Sequence, residues 1–125
     1  MPRRTPTIDV AAAAQRAAAL CVDGKANDVI VMNLTALTDM TDYFVIASGT
    51  SDTHVRSIAE HVTLEMKKDK VTVYHVEGLA QGRWVLLDYV DFVVHIFHPV
   101  LRSFYQLERL WGDAEVTSIG TAAVG

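Results

Sequence analysis

The sequence predicts an α/β (α+β) domain in which helices flank a mixed sheet of five strands. Half of the 125 residues are apolar and 21% are charged, which is typical of a folded globular domain. Segments 28–34 and 43–48 carry apolar side chains at successive positions, so both of their faces are expected to be covered. Helical and strand-like segments alternate in the order α-β-β-α-β-β-β-α, and this order suits a mixed sheet with helices packed on it.

The first half of the chain is predicted to contain two helices around two central strands. An alanine-rich segment from Ile8 to about Val22 indicates the first helix, with Thr7 as its N-cap and Gly24 as its end. Segments 28–34 and 43–48 follow as the central strands. A second helix, from Asp52 to about Lys68, is predicted from apolar residues that recur at helical spacing: Val55, Ile58, Ala59, Val62 and Met66.

The second half is predicted to contain three strands and a final helix. Alternating patterns indicate strands over 71–76, 84–88 and 92–97, of which the last two form a hairpin through Tyr89-Val90-Asp91. Because proline is favoured in the first turn of a helix, the final helix is predicted to begin at His98-Pro99 and to end at Gly112.

The chain is predicted to hold one domain. We expect residues 1–7 to form a flexible arm, residues 8–112 the domain, and residues 113–125 a disordered tail. The longest apolar runs are of strand length, whereas a membrane span needs roughly 20 residues. The N-terminal residues lack the apolar core of a secretory signal, and Cys21 is the only cysteine. A cytoplasmic protein without an internal disulfide or a membrane partner is therefore expected.

Charge argues against direct nucleic-acid binding. The formal net charge is −4, and the basic residues form only two short clusters, at 3–4 and 67–70. A protein that holds phosphates usually carries a basic stripe, and the lysines at 67–70 fall at a predicted helix end, where they complement the helix dipole. A basic protein partner is compatible with this charge.

The segment Gly49-Thr50-Ser51 suggests an alternative hypothesis, that the protein is a nucleotidyl transferase. Backbone amides between a strand and a helix can hold phosphate, but such enzymes also need two carboxylates one residue apart to bind divalent metals. The candidate pairs, Asp39 with Asp42 and Asp88 with Asp91, are three residues apart and would point to opposite faces of a strand. The pattern favours a capped helix, so we predict no catalytic residues, no metal site, no cofactor and no small-molecule substrate.

The segment 83–111 favours the hypothesis that the protein binds a partner through an exposed surface. This segment is dense in aromatic residues, and strand alternation places Trp84, Leu86 and Asp88 on one face. Trp84 beside Arg83, next to a glycine-flanked loop, is the residue expected to be exposed. Acids interspersed through and after this segment would suit a basic protein: Asp88, Asp91, Glu108, Asp113 and Glu115.

Motifs along most of the chain resemble the ribosomal silencing factors (the Iojap family). They are Thr41-Asp42-Tyr43-Phe44-Val45-Ile46, Gly49-Thr50-Ser51 with His54-Val55, Gly82-x-Trp84, Asp88-Tyr89, Asp91, Val94-His95-x-Phe97, Arg102, Tyr105-x-Leu107-Glu108 and Leu110-Trp111. The resemblance covers roughly residues 8–115. One departure is Val90, where the family usually has glycine, so the hairpin turn is expected to differ slightly.

The resemblance implies a nucleotidyl-transferase-like topology without the catalytic carboxylates. It also implies that the protein binds the fourteenth protein of the large ribosomal subunit. This binding would block joining of the small subunit and repress translation under nutrient limitation. Free family members tend to form homodimers, so an obligate dimer whose surface is only its own interface is another alternative. Carried over by position, the partner-binding residues are Trp84, Leu86, Asp88, His95, Phe97, Tyr105, Glu108 and Trp111.

Overall fold

Two helices and six strands are seen in a computed structural model that describes residues 9–101 and 112–120. The elements are α1 (Val10–Asp23), β1 (Asn27–Asn33), β2 (Tyr43–Ser48), α2 (Asp52–Lys68), β3 (His75–Glu77), β4 (Trp84–Asp88), β5 (Phe92–Phe97), a 3-10 helix (Pro99–Leu101) and β6 (Glu115–Gly120). Among these residues no helix is long and apolar enough to cross a membrane. The predicted arm and most of the predicted final helix lie outside the described residues.

The six strands form one mixed sheet in the order β3-β4-β5-β2-β1-β6. Strands β2 and β5 pair in parallel, with Tyr43 opposite Phe92 and Ser48 opposite Phe97. All other neighbours are antiparallel. The connection from β2 to its parallel neighbour β5 passes through α2, β3 and β4, and this places β4 and the β4–β5 hairpin at one side of the sheet. The predicted α/β class and hairpin are confirmed.

The two helices pack together on one face of the sheet. Their apolar stripes, which include Ala17 and Ile58, meet inward-facing residues of the sheet such as Val45, Leu87 and Ile96, all fully buried. A smaller cluster occupies the other face: Ile30, Met32, Leu34, Ile46 and Phe97. Both faces of β1 and β2 are therefore covered, as their continuous apolar runs predicted.

The N-cap of α2 agrees with the sequence-based prediction, whereas the N-cap of α1 differs from it. The Ser51 hydroxyl accepts a hydrogen bond from the His54 amide at 3.1 Å and so caps α2, which confirms the capped helix predicted at Gly49-Thr50-Ser51. The cap of α1 is Asp9, whose carboxylate accepts from the Ala12 amide at 3.1 Å. Thr7 was therefore the wrong choice of cap, because the helix begins two residues later than that choice implied.

Two further predictions are corrected by the sheet. It has six strands rather than five, since residues Glu115–Gly120 of the predicted disordered tail form β6 along β1. In place of the predicted strand 71–76 there is a shorter strand, His75–Glu77, because the Val71 amide donates to the Met66 carbonyl at the end of α2. The domain thus uses residues beyond position 112 to cover the edge of β1.

The turn between β4 and β5 places Val90 in a left-handed conformation. Its φ is +72°, and the Asp91 amide donates to the Tyr89 carbonyl at 2.8 Å, so Val90 is the central residue of a γ-turn. A β-branched residue is strained at positive φ, whereas glycine is not. The turn therefore keeps a backbone conformation that suits glycine, with valine in its place.

Replacing Val90 with glycine is expected to stabilise the protein by about 0.5 to 1 kcal/mol. Relief of the left-handed strain, roughly 1 to 2 kcal/mol, exceeds the added entropy of a glycine in the unfolded chain. Urea denaturation measures the difference, and Val90→Ala, which keeps the Cβ atom, serves as the matched control with a smaller gain. A glycine variant no more stable than the wild type would show that the turn is not strained.

Candidate functional site

Trp84 is a half-exposed aromatic residue held in place by buried rings. Its side chain is 47% exposed at the start of β4. The indole Nε1–H donates a hydrogen bond to Nδ1 of His95 at 3.2 Å, and the indole ring lies 5.1 Å from the Phe97 ring, centroid to centroid. The predicted exposure of Trp84 is confirmed, and the ring has a defined orientation because it contacts both His95 and Phe97.

The register of β4 and β5 builds this arrangement. Trp84 pairs with Phe97, Leu86 with His95 and Asp88 with Val93, so these side chains share one face of the sheet. The start of β4 is packed closely against the preceding loop at Gly78, whose φ is +78°. A Cβ atom at this position would lie 2.1 Å from the Trp84 carbonyl oxygen, so the close approach requires glycine.

His95 is a buried, neutral histidine. It is 4% exposed, and burial lowers the pKa of its imidazole from 6.5 to about 4. The indole N–H can only donate, so Nδ1 of His95 is the acceptor and Nε2 carries the proton. Within the described part of the chain, Nε2 has no hydrogen-bond partner. His95 also packs edge-on against Phe44, with ring centroids 4.7 Å apart.

His95 and Phe97, two of the predicted partner-binding residues, are buried. Phe97 has no exposed surface, so both residues support Trp84 from below. Leu86 and Asp88 are partly exposed on the same strand as Trp84. The remaining predicted site residues lie outside the described residues: Tyr105, Glu108 and Trp111.

Only some of the acidic residues predicted for this surface lie near Trp84 in the structure. Asp91 is buried in the β4–β5 turn. Asp113 and Glu115 are exposed, but Glu115 belongs to β6, at the sheet edge opposite β3 and β4. Among the described acids of the predicted set, Asp88 is the one that shares a strand with Trp84.

Two amides of the Gly49–Ser51 turn, those of Gly49 and Thr50, donate hydrogen bonds within the protein. The Thr50 amide donates to Nδ1 of His54 at 2.9 Å, and Nε2 of the same ring lies 2.9 Å from the Gly24 carbonyl oxygen. His54 therefore ties the start of α2 to the end of α1. The structure explains this segment as a helix start and an interhelical tie.

The alternative enzyme would need Gly49–Ser51 close to Asp88 and Asp91, and the sheet separates them. The Gly49 amide bonds to the Phe97 carbonyl, at the C-terminal end of β5. Asp91 directly precedes β5 and Asp88 pairs with Val93, at the other end of that strand. The length of β5 sets them about 16 Å apart. In residues 9–101 and 112–120, no group of three or more His, Cys, Asp or Glu side chains could hold a metal ion.

Comparison with known proteins identifies the class to which this α/β domain belongs. The family model described as "Ribosomal silencing factor during starvation" matches residues 7–124. The chain belongs to this family, as its motifs indicated.

Similar proteins occur in bacteria and in mitochondria. The ribosomal silencing factor RsfS of Bacillus subtilis (strain 168) is 40% identical over 103 residues, which are 82% of this chain and 87% of the relative. The mouse protein named "Mitochondrial assembly of ribosomal large subunit protein 1" is 33% identical over 89 residues, 69% of this chain but only 39% of the relative. A crystal structure of a protein from Chromobacterium violaceum superposes with a TM-score of 0.80 at 30% identity, covering 94% of this chain and 98% of that one.

Proposed function

We propose that the protein binds the large ribosomal subunit through its fourteenth protein and thereby blocks joining of the small subunit. Translation would fall when the factor accumulates, as expected under nutrient limitation. Membership of the ribosomal silencing factor family supports a regulatory role at the ribosome. The observation that carries the proposal is the half-exposed Trp84, fixed over His95 and Phe97.

Trp84 has the properties of an interface anchor. Tryptophan combines a large apolar surface with few rotatable bonds, and residues of this kind dominate binding energies at protein interfaces. The hydrogen bond to His95 and the packing on Phe97 already restrict its rotamer in the free protein. Little side-chain entropy remains to be lost on binding, so more of the contact energy appears as affinity.

The proposed contact surface extends from Trp84 along the exposed side of β4. Leu86 and Asp88 continue the same face. His95 and Phe97 act by supporting this face from within. On the resemblance alone, we include Tyr105, Glu108 and Trp111 as further contacts.

Charge favours a protein partner over RNA. The net charge of −4 and the carboxylate of Asp88 would repel phosphates and attract a basic ribosomal protein. Binding of this kind needs no cofactor and no small-molecule substrate. The mechanism is occupancy: joining falls as the fraction of large subunits that carry the factor rises.

A homodimer is proposed for the free protein, formed in part through the same surface. If so, the partner and the second copy compete for Trp84. Addition of the purified fourteenth ribosomal protein is then expected to convert the dimer into a heterodimer, measured by light scattering after gel filtration. A dimer that persists in saturating partner would favour the alternative in which the surface serves only self-association.

The proposed function is tested by sedimentation with isolated ribosomal subunits. We expect the protein to pellet with large subunits and to stay in the supernatant with small subunits, because only the large subunit carries the proposed partner. Large subunits lacking the fourteenth protein are the matched control and should bind little. Equal binding to both subunits, or to neither, would contradict the proposal.

A further inference from the structure

A cavity of about 570 Å³ lies at the end of β4 opposite to Trp84. Its walls come from four separate segments: the loop that follows β1, the start of β2, residue 74 before β3, and the hairpin of β4 and β5. The residues that line it include Met40, Phe44, Tyr74, Asp88, Val90 and Val93. With a volume in the range of ligand pockets, it can take one large side chain of a partner.

Exposed apolar side chains are concentrated around this cavity. Met40 is 83% exposed, Tyr74 76% and Val90 43%. Single exposed apolar residues are ordinary, but three around one concave site form a patch of the kind that marks an interaction surface. This patch is distinct from Trp84, since Asp88 lies four positions further along the extended strand, about 13 Å away.

Asp88 is the charged residue among the described lining residues. Its Oδ1 atom accepts a hydrogen bond from the Val90 amide at 2.7 Å, which fixes the orientation of the carboxylate. A carboxylate has about four acceptor positions, so this bond leaves capacity for a further donor. The cavity therefore combines apolar walls with one oriented negative charge.

We propose that this cavity receives an arginine or lysine side chain from a basic protein partner. The aliphatic stem of such a side chain would pack on Met40 and Val90, while its charged head would bond to Asp88. Phe44 and Tyr74 add aromatic surface that attracts a cation. An anionic ligand such as a nucleic-acid phosphate would meet the carboxylate without any basic residue among the described lining residues.

The inference rests on the proposed function for the partner but adds a second point of attachment. Trp84 and the cavity lie on the same face of β4, about 13 Å apart. An interface of standard size, about 800 Å² on each partner, spans both. Trp84 would provide apolar anchoring, and the cavity would select a partner that carries a positive charge at the matching distance.

Substitution of Asp88 by asparagine tests the inference on the ribosome. Asparagine has nearly the same shape, and its carbonyl oxygen can still accept from the Val90 amide. We expect affinity for large subunits to fall roughly 10-fold or more, as for loss of a charge-assisted contact. Glu60→Gln, at an exposed position of α2, removes the same charge elsewhere and should bind like the wild type. Unchanged binding of the Asp88→Asn variant would overturn the inference.

Small cationic probes test the cavity without the ribosome. In nuclear magnetic resonance titrations of the full chain, N-acetyl-arginine amide and N-acetyl-lysine amide are expected to shift the amide signals of Met40, Val90 and Val93. The uncharged N-acetyl-citrulline amide should not, and Asp88→Asn should abolish the shifts. The inference is overturned if the cationic probes leave these signals unchanged or if N-acetyl-citrulline amide shifts them equally.

The two experiments separate failure of this inference from failure of the proposed function. Probe shifts that depend on Asp88, in a protein that does not bind large subunits, would support the cationic site and contradict the ribosomal function. Conversely, binding that requires Trp84, together with a silent cavity and an unaffected Asp88→Asn variant, would support the function and overturn the inference.

Discussion

Replacement of Trp84 by alanine is expected to weaken binding to large ribosomal subunits by roughly 30- to 150-fold. About half of the indole surface is free to be buried by a partner. At about 25 cal/mol per Å², burial of that surface corresponds to about 2 to 3 kcal/mol, which gives this change in Kd. The measurement is a titration of labelled protein with purified large subunits, followed by sedimentation.

Two matched variants separate this effect from a general loss of apolar surface or of stability. Leu64 is 56% exposed on α2, on the helical side of the sheet, and Leu64→Ala should bind like the wild type. Trp84→Phe keeps a ring over Phe97 but loses the donor to His95, so we expect an intermediate loss. If Trp84→Ala, shown by circular dichroism to be folded, binds as tightly as the wild type, the contact surface is elsewhere.

Acidification is expected to destabilise the protein through His95 between pH 6.5 and about 4. Burial lowers the pKa of His95 from 6.5 to about 4, so in this range the unfolded chain binds a proton that the folded protein does not. The unfolding free energy contributed by His95 is complete above pH 6.5 and is lost as the pH falls through this window. A difference of about 2.5 in pKa corresponds to about 3 kcal/mol.

The His95→Gln variant isolates this effect from the other titrating groups. Glutamine can accept the indole hydrogen bond through its carbonyl oxygen but does not titrate. Urea denaturation of both proteins from pH 7 to pH 4 should show that the stability advantage of the wild type shrinks by about 3 kcal/mol. A constant difference between the two proteins across this range would mean that His95 is not buried in its neutral form.

The elements that the sequence predicted well are those with a strong hydrophobic period. Helix α2 has the predicted bounds because its apolar stripe and its caps agree, and β2, β4 and β5 match their apolar runs. Strand β6 could not be recognised, because four of its six residues are exposed and its pairing with β1 rests on backbone hydrogen bonds. The cap of α1 was misplaced because Thr7 and Asp9 are both good capping residues two positions apart.

The exposure of Trp84 was predictable, whereas the rest of the site needed three-dimensional information. Arginine and a glycine-bounded loop beside Trp84 indicated a sheet rim. Strand alternation puts His95 and Phe97, two residues apart, on one face of β5, but it cannot show that Trp84 covers them. The cavity beside Asp88 was missed because its walls come from segments far apart in the sequence.

The central claim is that occupancy of the large subunit prevents joining, and a subunit-joining assay tests it most directly. Purified small and large subunits are mixed with increasing amounts of the protein, and assembled ribosomes are quantified on a sucrose gradient. We expect the assembled fraction to fall with the fraction of large subunits bound, and Trp84→Ala to leave it nearly unchanged at the same concentrations. Undiminished joining when the large subunits are saturated with wild-type protein would contradict the proposed mechanism.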